Sequence, residues 1–128
     1  MKKTLALICG FAVFSSCAAA QSVKLKSAEI AELLTGNTAV GSWRGAPYRQ
    51  YFDENGSTIY AQEDSRSALG EWRIDTDRDE YQSIWVRDTV WEGWYVMEYL
   101  ETYFWVSKST PPTPFKVVQG QQLVRTDD

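Results

Sequence analysis

Most enzyme chemistry starts from histidine, cysteine or paired carboxylates, and this chain of 128 residues contains no histidine at all. That removes the usual base near neutral pH, the usual metal ligand and the catalytic triads built on imidazole. Both cysteines, Cys9 and Cys17, fall within the first twenty residues. Carboxylates remain. A glycosidase needs two of them about 5 to 10 Å apart across a cleft, and Glu71, Glu92 and Glu98 lie nearest the aromatic residues. Glu98 sits between Met97 and Tyr99 in the most apolar stretch, where an unpaired carboxylate is costly to bury. An ion pair with Arg87 or Arg73 is therefore expected in preference to acid catalysis, and a minimal glycosidase is the least favoured function. Asp75, Asp77 and Asp79 share the spacing of the first ligands of a calcium loop. Glu80 stands where that loop requires glycine and Val86 where it requires glutamate. A solvated acidic turn without a metal is the expectation, and no cofactor is called for. Phosphate-binding glycine loops, serine elbows and internal repeats are all missing from the sequence.

The remaining chemistry belongs to rings. The chain has six tryptophans, and Trp72, Trp85, Trp91, Trp94 and Trp105 all lie between Gly70 and Ser107. Trp94 to Tyr99 and Thr102 to Ser107 read as a hairpin with Leu100-Glu101 at its tip, where Asn-Gly is the favoured pair. With a two-residue loop, Tyr95, Met97, Phe104 and Val106 share one face and Trp94, Val96, Tyr103 and Trp105 the other. Both faces are apolar. One must be core, and the other is covered by the helix or the proline segment, or is a binding surface. The leading expectation is a non-enzymatic ligand-binding domain with Trp72, Trp85, Met97 and Phe104 lining its interior. The alternative is a carbohydrate- or protein-binding module that uses Trp94, Tyr103 and Trp105 on the outside.

These rings need a scaffold and a destination. Lys2 and Lys3 followed by the apolar run Thr4 to Phe14 form an export signal too short to span a bilayer. Ala18-Ala19-Ala20 places cleavage before Gln21, in a periplasmic or secreted protein. Phe14-Ser15-Ser16-Cys17 offers a second route, lipidation of Cys17 and a membrane anchor. Removing twenty of the 128 residues leaves 108, enough for one domain with a modest core. It also removes two positive charges and no negative ones, taking the net charge from −4 to −6. An acidic domain is a poor partner for nucleic acid. A monomer binding a small apolar ligand, a glycan or a protein is expected.

Gln21 to Lys26 reads as a tether before a domain spanning residues 27–128. Ser27 fits an N-cap, with Ile30, Leu33 and Leu34 on one helical face and Gly36 or Asn37 as the stop. About eight residues cannot hold a helix alone, so this one must dock, as a lid across a barrel end. A period of two follows. Strands are predicted at Thr38 to Trp43, Tyr48 to Phe52, Ser57 to Gln62, Leu69 to Asp75, Tyr81 to Asp88, and in the hairpin described above. Arg44 to Pro47 and Asp53 to Gly56 are turns. Pro111 to Pro114 is extended chain excluded from a central strand. A closing strand, Phe115 to Val118 or Gln121 to Val124, returns to the first strand, with Gly120 as the bend. The fold class predicted is all-β, a small antiparallel up-and-down barrel of seven or eight strands with one short N-terminal helix.

Leu34-Thr35-Gly36-Asn37-Thr38, Tyr51-Phe52-Asp53-Glu54-Asn55-Gly56 and Gly70-Glu71-Trp72, in that order, resemble a group of short exported bacterial proteins of unknown function. The resemblance covers roughly Leu33 to Trp72. It implies a lipocalin-like barrel and assigns no catalytic residue.

Overall fold

A computed structural model describes residues 21–124, so the expected signal segment, its cleavage after Ala20 and the alternative anchor at Cys17 lie outside the described residues. The elements are β1 (Val23–Lys24), α1 (Ser27–Leu34), β2 (Asn37–Trp43), β3 (Ala46–Phe52), β4 (Ser57–Gln62), β5 (Ala68–Asp75), β6 (Glu80–Trp85), β7 (Glu92–Tyr99), β8 (Thr102–Val106) and β9 (Thr113–Gln119). Strands β2 to β9 pair antiparallel with their sequence neighbours, and β9 closes on β2 through Asn37↔Gln119 to Gly41↔Phe115. The result is a closed eight-stranded barrel with one extra strand and a single short helix, as the alternating pattern predicts.

The extra strand fills a gap. β6 pairs with β7 only from Tyr81↔Trp94 to Ser83↔Glu92, and where the two part, β1 pairs with β7 at Val23↔Glu98 and Lys24↔Met97. Leu25 continues the seam by donating its N–H to the Val96 carbonyl at 2.8 Å, and its side chain is buried. The segment expected as a tether thus carries the first strand and one core residue.

Helix α1 plugs one end of the barrel. Ile30 and Leu34 are fully buried against Leu25, Phe52, Trp72 and Val96, and Leu33 is partly buried beside them. Burying two such side chains supplies roughly 3 to 6 kcal/mol, since each contributes about 1.5 to 3. The N-cap is Lys26, one residue before Ser27; its N–H donates to Glu29 Oε1 at 3.1 Å. Ser27 instead gives its N–H and hydroxyl to Asp79 Oδ1 at 2.8 and 2.6 Å. The acidic β5–β6 turn thereby supplies an anion to the helix N-terminus from another part of the chain. At the other end Gly36 turns with φ +75° and Asn37 Nδ2 donates to the Leu33 carbonyl at 2.9 Å, so both expected stop residues take part.

Turn chemistry sets the register. Arg44 and Gly45 form a two-residue loop with both φ positive, so Ala46 and Pro47 belong to β3 and not to the turn. In the Asp53 to Gly56 turn, the Trp72 indole N–H donates to the Asp53 carbonyl at 2.8 Å, fastening β5 to that corner. Leu100 and Glu101 do form the two-residue tip, with φ +48° and +65°, giving Tyr99↔Thr102 and Val96↔Trp105. Phe115 begins the expected pairing with β2, but β9 itself starts at Thr113, and Pro114 lies in it opposite Phe104. Its missing N–H is tolerated because the β2 ladder starts only at Phe115.

Candidate functional site

Strand alternation carries Ala39, Gly41 and Trp43 of β2, Tyr48, Gln50 and Phe52 of β3, Trp72 of β5, Tyr81, Ser83 and Trp85 of β6, and Trp94 and Val96 of β7 to the barrel interior. β8 adds Tyr103 and Trp105, and β9 adds Phe115. The interior is not uniform. Below Trp105 it is filled: Phe52 meets Trp72 and Tyr81 edge to face at 5.5 and 5.6 Å, and Phe115 stacks on Trp105 at 4.1 Å. Above Trp105, at the end away from α1, the interior opens into a cup of about 500 Å³. That is within the range of small-molecule sites.

Two aromatic walls define the cup. Trp43 reaches across the mouth to Trp94 at 6.0 Å, edge to face. Tyr48 stacks on Tyr60 at 5.2 Å, and Tyr60 meets Trp85 edge to face at 6.1 Å. Glycines make both walls possible. A Cβ on Gly70 would lie 2.7 Å from the Trp85 ring, and one on Gly41 would lie 2.9 Å from the Tyr48 hydroxyl. Arg44 and Glu92 line the rim, the Arg44 guanidinium 5.7 Å from the Trp43 ring.

The floor is polar and its hydrogen bonds have a fixed direction. Trp105 Nε1 donates to the Tyr48 hydroxyl at 3.0 Å. Gln50 Nε2 donates to Thr58 Oγ1 at 3.0 Å and to the Tyr81 hydroxyl at 2.8 Å. The amide can face only one way, because Thr58 spends its own hydrogen on the Tyr51 carbonyl at 2.8 Å and can only accept from Gln50. Burial pushes the Tyr48 phenol up to about 12, against the opposing Trp105 hydrogen bond and helped by Tyr60. Tyr81 is raised further, first by burial, with hydrogen bonds from Ser83 and Gln50 opposing and Tyr48 and Glu92 adding to it. Both stay neutral at any ordinary pH.

The sequence-predicted residues are distributed differently from expectation. The hairpin splits into the two expected faces, but the inward one is Trp94, Val96, Tyr103 and Trp105, with Val96 fully buried. Met97 and Phe104, expected inside, are half-buried on the outer face with Tyr95 and Val106. Nothing in the hairpin alone decides this, since both faces are apolar; Phe115 on β9 decides it by stacking on Trp105. Neither the helix nor the proline segment accounts for the outer face; β1 does so in part, its Lys24 ammonium lying 4.1 Å from the Tyr95 ring centroid. Trp85, Trp94 and Trp105 come together in the cup. Trp72 belongs to the plug, and Tyr103 packs on Phe115 at 5.7 Å. Trp43, Tyr48, Gln50, Tyr60, Tyr81 and Ser83 were not singled out from the sequence. Their signal was present in the shared parity of Tyr48, Gln50 and Phe52, and of Tyr81, Ser83 and Trp85.

The three carboxylates weighed for catalysis are not brought together. Glu92 and Glu98 share a face of β7 but lie six residues apart, about 20 Å along a strand. Glu71 points outward from β5. Arg73, expected beside Glu98, donates to Gln82 Oε1 at 2.7 Å, and its guanidinium lies 3.9 Å from the Trp91 ring centroid. No cluster of metal-ligating residues forms among the described residues, and Asp79 is engaged by Ser27 instead. Comparisons with protein-family models, with curated proteins and with solved structures give no match for this chain.

Proposed function

We propose that this chain is an exported, non-enzymatic binding domain that takes a small amphipathic ligand into the open cup of its barrel. The observation that carries the reading is the division of the interior, sealed by α1 at one end and left open at the other with rings on its walls and hydroxyls on its floor. A well that is only as deep as the space above Trp105 suits a compact ring and excludes an extended acyl chain. The aromatic walls supply contact area, and the floor supplies orientation. The resemblance to short exported barrel proteins, with the export signal, gives the setting in which such a domain works: the periplasm or the extracellular medium, or a membrane surface if Cys17 is lipidated. The competing reading, an outer glycan or protein surface on Tyr95, Met97, Phe104 and Val106, is weakened because Lys24 already occupies the face of Tyr95.

Tryptophan fluorescence tests the choice. Titration with N-phenyl-1-naphthylamine, an uncharged aromatic probe, should change the emission saturably, and Ala68→Trp, which fills the cup from β5, should abolish the response without altering the far-ultraviolet spectrum. A response that survives Ala68→Trp, or one seen only with oligosaccharides that also survives it, would move the site to the outer face.

A further inference from the structure

The direction of the floor's hydrogen bonds narrows the ligand further, granting that the cup is the binding site. Two chains of hydrogen bonds end there, and each begins with a group that can only donate. The Trp105 indole has one hydrogen and no acceptor, and it gives that hydrogen to Tyr48. The Gln50 amide nitrogen gives one hydrogen to Thr58 and the other to Tyr81. Each phenol oxygen has therefore accepted, and its own hydrogen must point onward. For Tyr48, whose ring lines the cup, no acceptor among the described residues takes that hydrogen. Tyr81 accepts from Gln50 and, like Ser83 beside it, lines the cup, so its own hydrogen is left for a ligand there. The last group in each chain is then a donor.

The floor's charge is as informative as its polarity. Every group on it is neutral, and the two charged residues that line the cup, Arg44 and Glu92, are of opposite sign and lie at the rim. An anion at the floor would lose hydration without meeting a cation, which is costly. A carbonyl oxygen has two lone pairs, carries no net charge and loses far less.

We infer that the cup binds the carbonyl oxygen of an uncharged ring compound, held by the Tyr48 hydroxyl and by the hydroxyl that ends the Gln50–Tyr81 chain, and discriminates against carboxylates of the same size. No bond is made or broken.

Four probes of matched ring size test this by calorimetry: acetophenone, ethylbenzene, benzoate and benzyltrimethylammonium. Acetophenone should bind about tenfold more tightly than ethylbenzene, the scale of one well-made hydrogen bond in a buried site, and benzoate should bind more weakly than either. In Tyr48→Phe, checked for folding by circular dichroism, the acetophenone advantage should shrink while ethylbenzene affinity holds. Equal affinities for acetophenone and ethylbenzene, or a preference for benzoate or the ammonium compound, would overturn the inference and leave the cup as a binding site of other specificity. Those comparisons on the wild-type protein decide the matter even if Tyr48→Phe fails to fold. Absence of binding by all four would remove both the inference and the cup reading.

Discussion

Tyr48 links the candidate site to the stability of the barrel, and raising the pH exposes the link. Its side chain is 4% exposed and its phenol is raised from 10.0 to about 12, chiefly because burial disfavours the phenolate. A folded value above the unfolded one gives a contribution that is fully present below pH 10 and is lost as pH rises from there through the folded value. Two pH units correspond to about 3 kcal/mol, a substantial share of the roughly 5 to 15 kcal/mol that holds a typical domain together. Tyr48→Phe removes this dependence but strands the buried Trp105 N–H, at a cost of about 1 to 3 kcal/mol. The assay is urea unfolding followed by tryptophan fluorescence between pH 8 and pH 12 for both proteins. The variant should be less stable at pH 8, and the gap should narrow above pH 10, because only the wild type has this proton to lose on unfolding. Groups that do not interact with Tyr48 contribute equally to both proteins and drop out of the difference. Parallel curves from pH 10 upward would refute the buried, hydrogen-bonded state assigned to Tyr48.

Three further perturbations probe the frame. Leu34→Ala, at a fully buried contact of the helical plug, should cost about 2 to 5 kcal/mol in the same assay; a loss below 1 would mean that α1 is not seated. Leu100→Asn combined with Glu101→Gly relieves two positive φ angles and should stabilise the barrel by about 1 kcal/mol or more, read as a rise in Tm, whereas a fall would show that Leu100 or Glu101 makes contacts that matter more than the turn. Asp79 is held below the ordinary carboxylate value by its hydrogen bonds from the Ser27 hydroxyl and N–H. Its contribution is present above pH 3.8 and lost as pH falls through the lowered value, so Asp79→Asn should narrow its stability gap from wild type at the lowest pH, and a gap unchanged between pH 5 and pH 2 would contradict the pairing.

The fold was legible because its signals are local and agree with one another. Period-two alternation marked the strands, Asn55-Gly56 fixed one hairpin, and Gly120 ended the strand that closes the barrel. The orientation of the hairpin was not legible, because Tyr95, Met97, Phe104 and Val106 are as apolar as the face opposite, and only contacts distant in sequence choose between them. The same limit applies to Pro114, whose place in β9 depends on where the β2 ladder begins. Three of the five rings in the cup's walls, Trp43, Tyr48 and Tyr60, lie outside the aromatic-rich stretch that draws the eye in the sequence. Gly41 and Gly70 mark those walls only once the rings that lie across them are seen. The proline and acidic segments read as loops, yet Asp79 anchors the helix that seals the barrel, a role no local pattern announces.

The six indole N–H resonances of the 15N-labelled protein, followed during titration with N-phenyl-1-naphthylamine, test the half-open barrel most directly. Trp43, Trp85, Trp94 and Trp105 line the cup, Trp72 is fastened into the plug and Trp91 lies outside beneath Arg73. The four cup indoles should shift together with one saturation curve while Trp72 and Trp91 stay in place. Shifts confined to Trp72 or Trp91, or no shift in any of the six, would contradict a ligand site in the open end of the barrel.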